Sequence, residues 1–258
     1  MKLYLLIFLF ISTTFSCFSE KDYHLTTNKD IPLTLSGSIL FGGSYYLESQ
    51  MEPLPKNVVS SLNKENINSF DKISLELYSE TDALVSDVLL GINLTAPLLL
   101  FLNNNASNQF LEIGTMYYQT FVFNNSATLI TKTLTKRIRP YVYNPEVSIN
   151  KKMHPDARRS FISGHTSNAF ASAVFLAKVF SDLKIDRNSS PYIWAASLSL
   201  ASATGIFRIT AGKHFPTDVI AGALTGSIIG YIIPEIHKNK NNDDPRQVNT
   251  IISLNFSL

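Results

Sequence analysis

Between Ile31 and Ile236 the chain is a succession of apolar stretches at helical spacing, each closed by prolines, asparagines or a charged run. Ile31 to Leu47, Ile73 to Leu102, Leu111 to Ile138, Gly164 to Leu183, Tyr192 to Ile209 and Pro216 to Ile236 carry this pattern. Pro140 stops the third stretch, Ser163 stands at the N-cap of the fourth and Pro216 opens the last. The expected fold class is therefore all-α, a helical bundle over residues 30–237. A leader (1–17) precedes it, and a polar tail (238–258) follows, in which Val248 to Leu258 alternates as one short strand would.

At 258 residues there is room for one domain with a single core, and a net charge of +2 lacks the basic excess of a nucleic-acid protein. Lys2, the apolar run Leu3 to Ile11 and the small polar residues before Cys17 have the form of a signal peptide, so an exported protein of the periplasm or cell envelope is expected. The run is short for a membrane anchor. Cys17 is the only cysteine, which rules out an intramolecular disulfide. Its place after Thr14-Phe15-Ser16 fits either a lipid-anchored Cys17 or a discarded leader, Phe15 being a poor match to a lipoprotein site. The later apolar stretches are interrupted by Asp87, Asn93, Thr95 and Pro97, and by Ser197, Ser199, Ser202 and Thr204. Buried core helices of a soluble or peripherally anchored domain are expected in preference to an integral membrane protein.

Three short runs carry the chemistry: Lys132 with Arg139-Pro140, then Ser163-Gly164-His165, then Arg208 with His214 and Asp218. Lys132 and Arg139 are seven apart and are expected on one helical face; Lys136 and Arg137 read as the solvated basic end of that helix. Ser163-Gly164-His165 marks a loop becoming a helix, where free backbone N–H groups bind anions and His165 can protonate a leaving oxygen. The plainer alternative is a capping serine and a surface histidine. Asp218 lies four residues after His214, where a carboxylate can accept from one imidazole nitrogen and leave the other for in-line attack on phosphorus. His24, His154 and His237 fall outside the runs and read as surface residues, with His154 in the loop before the second run and so near a substrate.

Written as K-x6-R-P, S-G-H and R-x5-H-x3-D, the trio resembles the signature of the phosphatidate phosphatase type 2 / vanadium haloperoxidase superfamily, whose members include bacterial acid phosphatases and lipid phosphatases. The match covers Lys132 to Tyr231 and departs at Ile162 and Phe207, where the family pattern has proline and serine. The resemblance implies a bundle of the acid phosphatase/haloperoxidase type and a metal-independent phosphatase working through a phosphohistidine, with no cofactor. It implies that Lys132, Arg139, Ser163, Gly164 and Arg208 hold the phosphoryl group, while His214 attacks, Asp218 supports it and His165 serves the leaving group. The implied substrate is a phosphorylated lipid or a small soluble phosphate ester at a membrane surface. Two other readings are a vanadate-dependent haloperoxidase, for which the chain is short, and a non-catalytic phosphate- or lipid-binding envelope protein.

Overall fold

Side-chain caps and prolines set the helix limits in the computed structural model, which describes residues 21–239. The leader, Cys17 and the strand expected at Val248 to Leu258 lie outside the described residues. In chain order the helices are α1 (Thr27–Ser49), α2 (Lys56–Ser61), α3 (Glu80–Thr95), α4 (Asn104–Ser107), α5 (Phe110–Thr135), α6 (Ile149–Met153), α7 (Gly164–Asp182), α8 (Ser190–Thr210) and α9 (Pro216–His237). A 3-10 segment, Ala96–Leu102, prolongs α3. Ser79 accepts from the Asp82 amide at the start of α3, and Ser163 from the Thr166 amide at the start of α7. The fold is all-α: among the described residues the one β feature is an isolated bridge between Tyr23 and Lys238.

The long helices alternate in direction. At one end the Tyr23 amide reaches Gln109 Oε1 at 3.0 Å and the His24 amide the His237 carbonyl at 3.0 Å. Those bonds tie the starts of α1 and α5 to the end of α9. The Trp194 indole bonds Ser181 at 3.1 Å at the α7–α8 turn. The other end therefore gathers the C-termini of α1, α5 and α8 with the N-termini of α3, α7 and α9. There the three runs meet.

An apolar core lies among α5, α7 and α9, with Ile113, Met116, Phe175 and Val179 buried together, but the polarity of α3 and much of α9 is the reverse of that expected for core helices. In α3 and its extension Leu84, Val88, Ile92, Leu98 and Leu99 point outward, while Ser86 and Asn93 are buried. Helix α9 likewise exposes Ile220, Leu224, Ile228 and Ile232. The interior is knitted by polar side chains: Asn93 to Thr204 at 3.3 Å, Asn124 to Asn168 at 3.0 Å and Ser167 to Asn124 at 2.6 Å. The expectation of buried core helices is corrected on this point. Serine, threonine and asparagine interrupt the apolar stretches because they face neighbouring helices, where small polar side chains pack closely and pair.

Helices α7 and α9 pack backbone to backbone. A Cβ on Gly222 would lie 2.6 Å from the Ser163 carbonyl oxygen, one on Gly226 2.0 Å from that of Ser167, and one on Gly230 2.4 Å from that of Ala171. This stripe, repeating every four residues along one face of α9, sets the start of α7 beside the start of α9, where the Ser163 amide donates to the Asp218 carbonyl at 3.0 Å. The second and third runs are thereby fixed against each other.

Two expectations about side chains change. Helix α5 ends at Thr135, because Lys136 turns left-handed with φ 46°. Arg139 follows in extended backbone and does not share a helical face with Lys132. His237 is buried at 2% exposure, with Nε2 on Asp30 at 2.6 Å and Nδ1 donating to the Ile233 carbonyl at 2.7 Å. It is a helix-closing residue at the far end, whereas His24 and His154 are exposed as expected.

Candidate active site

Each cation of the site is buried and reaches it from a different element. Lys132, at the end of α5, is 8% exposed and donates to the Arg159 carbonyl at 3.0 Å. A Cβ on Gly164 would lie 3.9 Å from its Nζ, so the start of α7 faces this ammonium. Arg139, 4% exposed, donates through Nε to the Asp156 carbonyl and through Nη2 to the Asp156 carboxylate, both at 2.8 Å. Its Nη1 donates to the Lys213 carbonyl at 2.8 Å and to His214 Nε2 at 3.0 Å. Arg208, in the last turn of α8, donates to Ser86 at 3.1 Å and Asp87 at 3.2 Å. Its Nε is buried without a hydrogen-bond partner among the described residues, an open valence that suits an anion.

The turn after α8 delivers the second histidine. Gly212, at φ +67°, lies where a Cβ would meet the Leu77 carbonyl oxygen at 2.2 Å, so only glycine fits. The chain then folds back, the His214 amide donating to the Arg208 carbonyl at 3.2 Å. His214 Nδ1 donates to the Ser160 carbonyl at 2.7 Å, which fixes the tautomer and leaves the Nε2 lone pair facing Arg139. Burial first, then the charges of Arg139, Lys132 and Arg208, push His214 well below the usual histidine range, so it stands neutral.

Asp218 does not make the direct bond expected of it: its Oδ2 is 3.7 Å from His214 Nδ1. It accepts instead from the Ser160 hydroxyl at 2.5 Å, the Phe215 amide at 2.9 Å and Arg137 at 2.5 Å. Ser160 thus links the pair, its carbonyl on the imidazole and its hydroxyl on the carboxylate. Arg137 also donates to Asp71 at 2.7 Å and lies 4.2 Å from the centroid of the Phe215 ring. Asp71 in turn accepts from the Thr217 amide at 3.0 Å and its hydroxyl at 2.7 Å. Burial raises the Asp71 carboxyl, but the bonds from Thr217 and Arg137 outweigh it and hold it below the usual range.

His165, half-buried in the first turn of α7, meets Asp87 of α3 through Nε2 at 2.8 Å, and the carboxylate keeps a proton on that nitrogen. Ser163 is fully buried, and its hydroxyl pairs with that of Thr166 at 2.9 Å. It caps α7 and so orients the amides behind Gly164. Burial raises the Asp156 carboxyl, yet Arg139, Lys213 and Lys132 together hold it at about 2, so it stays charged. Among the described residues no three His, Cys, Asp or Glu side chains gather as metal ligands would.

The structure therefore brings Lys132, Arg139, Gly164, His165, Arg208, His214 and Asp218 to one end of the bundle. Sequence reasoning missed Asp71, Asp87, Asp156 and Ser160, which share no spacing with the runs, and assigned Arg137 to solvent. Arg137 stands two residues before the motif position Arg139, the only signal the sequence offered.

The chain is 36% identical over 81 residues to the lipid A 1-phosphatase of Porphyromonas gingivalis, covering 31% of this chain and 17% of that one. It is 28% identical over 154 residues to the probable diacylglycerol pyrophosphate phosphatase 1 of Schizosaccharomyces pombe, covering 51% and 55%. It thus spans little more than half of one of these relatives and less than a fifth of the other. A solved structure, the transmembrane PAP2 type phosphatidylglycerolphosphate phosphatase from Bacillus subtilis, has a TM-score of 0.47 and 18% identity, covering 84% of this chain and 98% of that one. Residues 113–242, which hold all three runs, match the PAP2 superfamily, and the chain belongs to it.

Proposed function

We propose that the protein is a membrane-embedded phosphatase that hydrolyses lipid phosphates through a phosphohistidine on His214, without a metal. The observation that carries this reading is the neutral His214, its Nδ1 committed to Ser160 and its Nε2 open beside Arg139. A phosphoryl group entering there takes Arg139 from Nε2 and meets Lys132, Arg208 and the free amides at the start of α7. His214 Nε2 attacks phosphorus, the P–O bond to the leaving oxygen breaks, and His165 gives that oxygen its proton. His165 then takes a proton from the water that cleaves the P–N bond and releases phosphate. Asp218, through Ser160, offsets the positive charge that grows on His214.

The protein is membrane-associated, and its surface supports full insertion. Helix Pro216–His237 and the segment Glu80–Leu102 are each long and apolar enough to cross a bilayer, yet only 28% and 22% buried. Exposed tyrosines lie near both ends, Tyr45 and Tyr46 on α1 at the site end, Tyr192 and Tyr231 at the other, as at membrane interfaces. A site opening at one end of such a bundle suits a phosphate carried on a lipid anchored beside it, and the relatives named for lipid A and diacylglycerol pyrophosphate agree.

The test is phosphate release by the detergent-solubilised protein, in EDTA, from phosphatidate, a prenyl phosphate and p-nitrophenyl phosphate, beside His214→Ala. Release that resists EDTA, favours the lipids and vanishes in the variant is expected. Persistence of turnover in His214→Ala would overturn the mechanism. Extraction of the native protein by alkaline carbonate would overturn membrane insertion.

A further inference from the structure

A second cationic cavity opens at the same end of the bundle, outside the phosphoryl site. Its volume is about 380 Å³, and it lies where α1 and α5 end, lined by Lys136 and Arg158 with Glu52 as the acid among them. Neither cation is engaged by the protein. The Lys136 ammonium has no hydrogen-bond or ion-pair partner among the described residues. The Arg158 guanidinium has none either, and its Nε is buried. Their neighbours are all committed: Arg137 holds Asp71 and Asp218, Lys132 donates to the Arg159 carbonyl, and Arg159 is held by Glu48. A buried guanidinium nitrogen without an acceptor carries a desolvation cost that an anion would offset.

The surroundings are those of a membrane interface. The exposed tyrosines Tyr45 and Tyr46 belong to this end of α1. Leu47 and Thr133 line the cavity, and Leu47 and Leu134 are 54% and 78% exposed. A ligand with apolar chains can lay them along these leucines while its polar head enters. The charge of the cavity selects the head. Two cations and one carboxylate leave a single net positive charge, which matches the single negative charge of a phosphodiester. The dianion of a phosphomonoester is better met by the three cations Lys132, Arg139 and Arg208.

We infer that this cavity binds the headgroup of an anionic phospholipid, one with a single phosphodiester, as a resident lipid distinct from the substrate. The inference rests on the membrane-embedded reading above. Lys136 and Arg158 take the two free phosphate oxygens by charge-assisted bonds, and the acyl chains run past Leu47 and Leu134 into the bilayer. The lipid also braces the catalytic end of α5, because its two anchors flank Lys132. The Lys136 amide donates to the Lys132 carbonyl at 2.9 Å, and Arg158 precedes the residue whose carbonyl receives the Lys132 ammonium at 3.0 Å.

Native mass spectrometry of the detergent-solubilised protein, with phosphatidylglycerol and phosphatidylcholine of equal chain length, reads occupancy directly. Phosphatidylglycerol should bind more tightly than phosphatidylcholine. Its affinity should weaken about fivefold in Lys136→Gln or Arg158→Gln and about thirtyfold in the double variant. Lys136→Arg and Arg158→Lys keep both charges and should keep the preference, which separates loss of the site from loss of the fold. Equal binding of the two lipids, or an affinity unchanged in the double variant, overturns the site. Inorganic phosphate carries the charge without the chains, so displacement of the lipid by an equal concentration of phosphate also overturns it. None of these measurements needs turnover, so failure of the phosphatase reading leaves the lipid site standing. Failure of the membrane reading shows separately, as extraction by alkaline carbonate.

Discussion

Arg137 bonds Asp218 at 2.5 Å with one nitrogen and Asp71 at 2.7 Å with another, so one guanidinium holds two carboxylates whose side chains are completely buried. The loop carrying Asp71 is thereby fastened to the start of α9, and Asp218 is aimed at Ser160. A buried charge that loses its partner is expensive, because nothing else in the interior offsets it.

Arg137→Ala should therefore cost about 3–5 kcal/mol of stability, read as a lowered unfolding midpoint in detergent. Arg137→Lys keeps the charge without the two-pronged reach, so it should stay folded and lose about tenfold in kcat with little change in KM. Equal losses in Asp71→Asn would place the effect in the same network.

The two histidines should separate by the step each one serves. His214→Ala abolishes phosphate release and phosphoenzyme alike. His165→Ala should slow hydrolysis of an alkyl phosphate by about 10²–10⁴-fold, and much less with p-nitrophenyl phosphate, whose leaving group needs no proton. Acid-labile phosphohistidine should then accumulate in His165→Ala, measured by rapid quench with radiolabelled substrate.

Acid should destabilise the protein in two windows. Below about pH 6.5 the unfolded chain protonates His214 while the buried native ring does not, so stability falls with pH. Asp156 has a folded pKa of about 2, below its unfolded value near 4. Its contribution is whole above pH 4 and is lost as pH drops toward 2. Asp156→Asn should flatten the lower window and His214→Asn the upper one, followed by chemical denaturation across pH.

The α7–α9 seam has no room for a side chain. Gly226→Ala places a Cβ 2.0 Å from the Ser167 carbonyl oxygen and Gly226→Leu adds far more, so the helices must part. Overpacking of this kind costs about 1–3 kcal/mol. It should also reduce kcat, since Ser163 and Asp218 lose their common register. Gly91→Ala, at a glycine within α3 with open space around it, is the control: it should leave the rate unchanged and the protein at least as stable, since alanine is the better helix former.

Much of the bundle was legible before folding. The stretches ending at Leu183 and Ile236 match α7 and α9 to within a residue, because Ser163, Pro216 and the charged run after Ile236 are strong local signals. Local signals also account for the misplaced end of α5: Pro140 marked a helix boundary, but the break falls at Lys136, a non-glycine residue turning left-handed, which no propensity foretells.

The sequence by itself determined the helices, their order and the residues that carry charge and imidazole, since each depends on neighbours a few positions away. Only the tertiary structure decided which faces turn outward and which carboxylates serve the site. An apolar helix studded with serine and threonine can pack either way, and its true direction emerges only when Asn93 meets Thr204 across α3 and α8. Asp71 and Asp87 lie far along the chain from the histidines they support, and a contact made across such a separation leaves no periodic trace in the residues between.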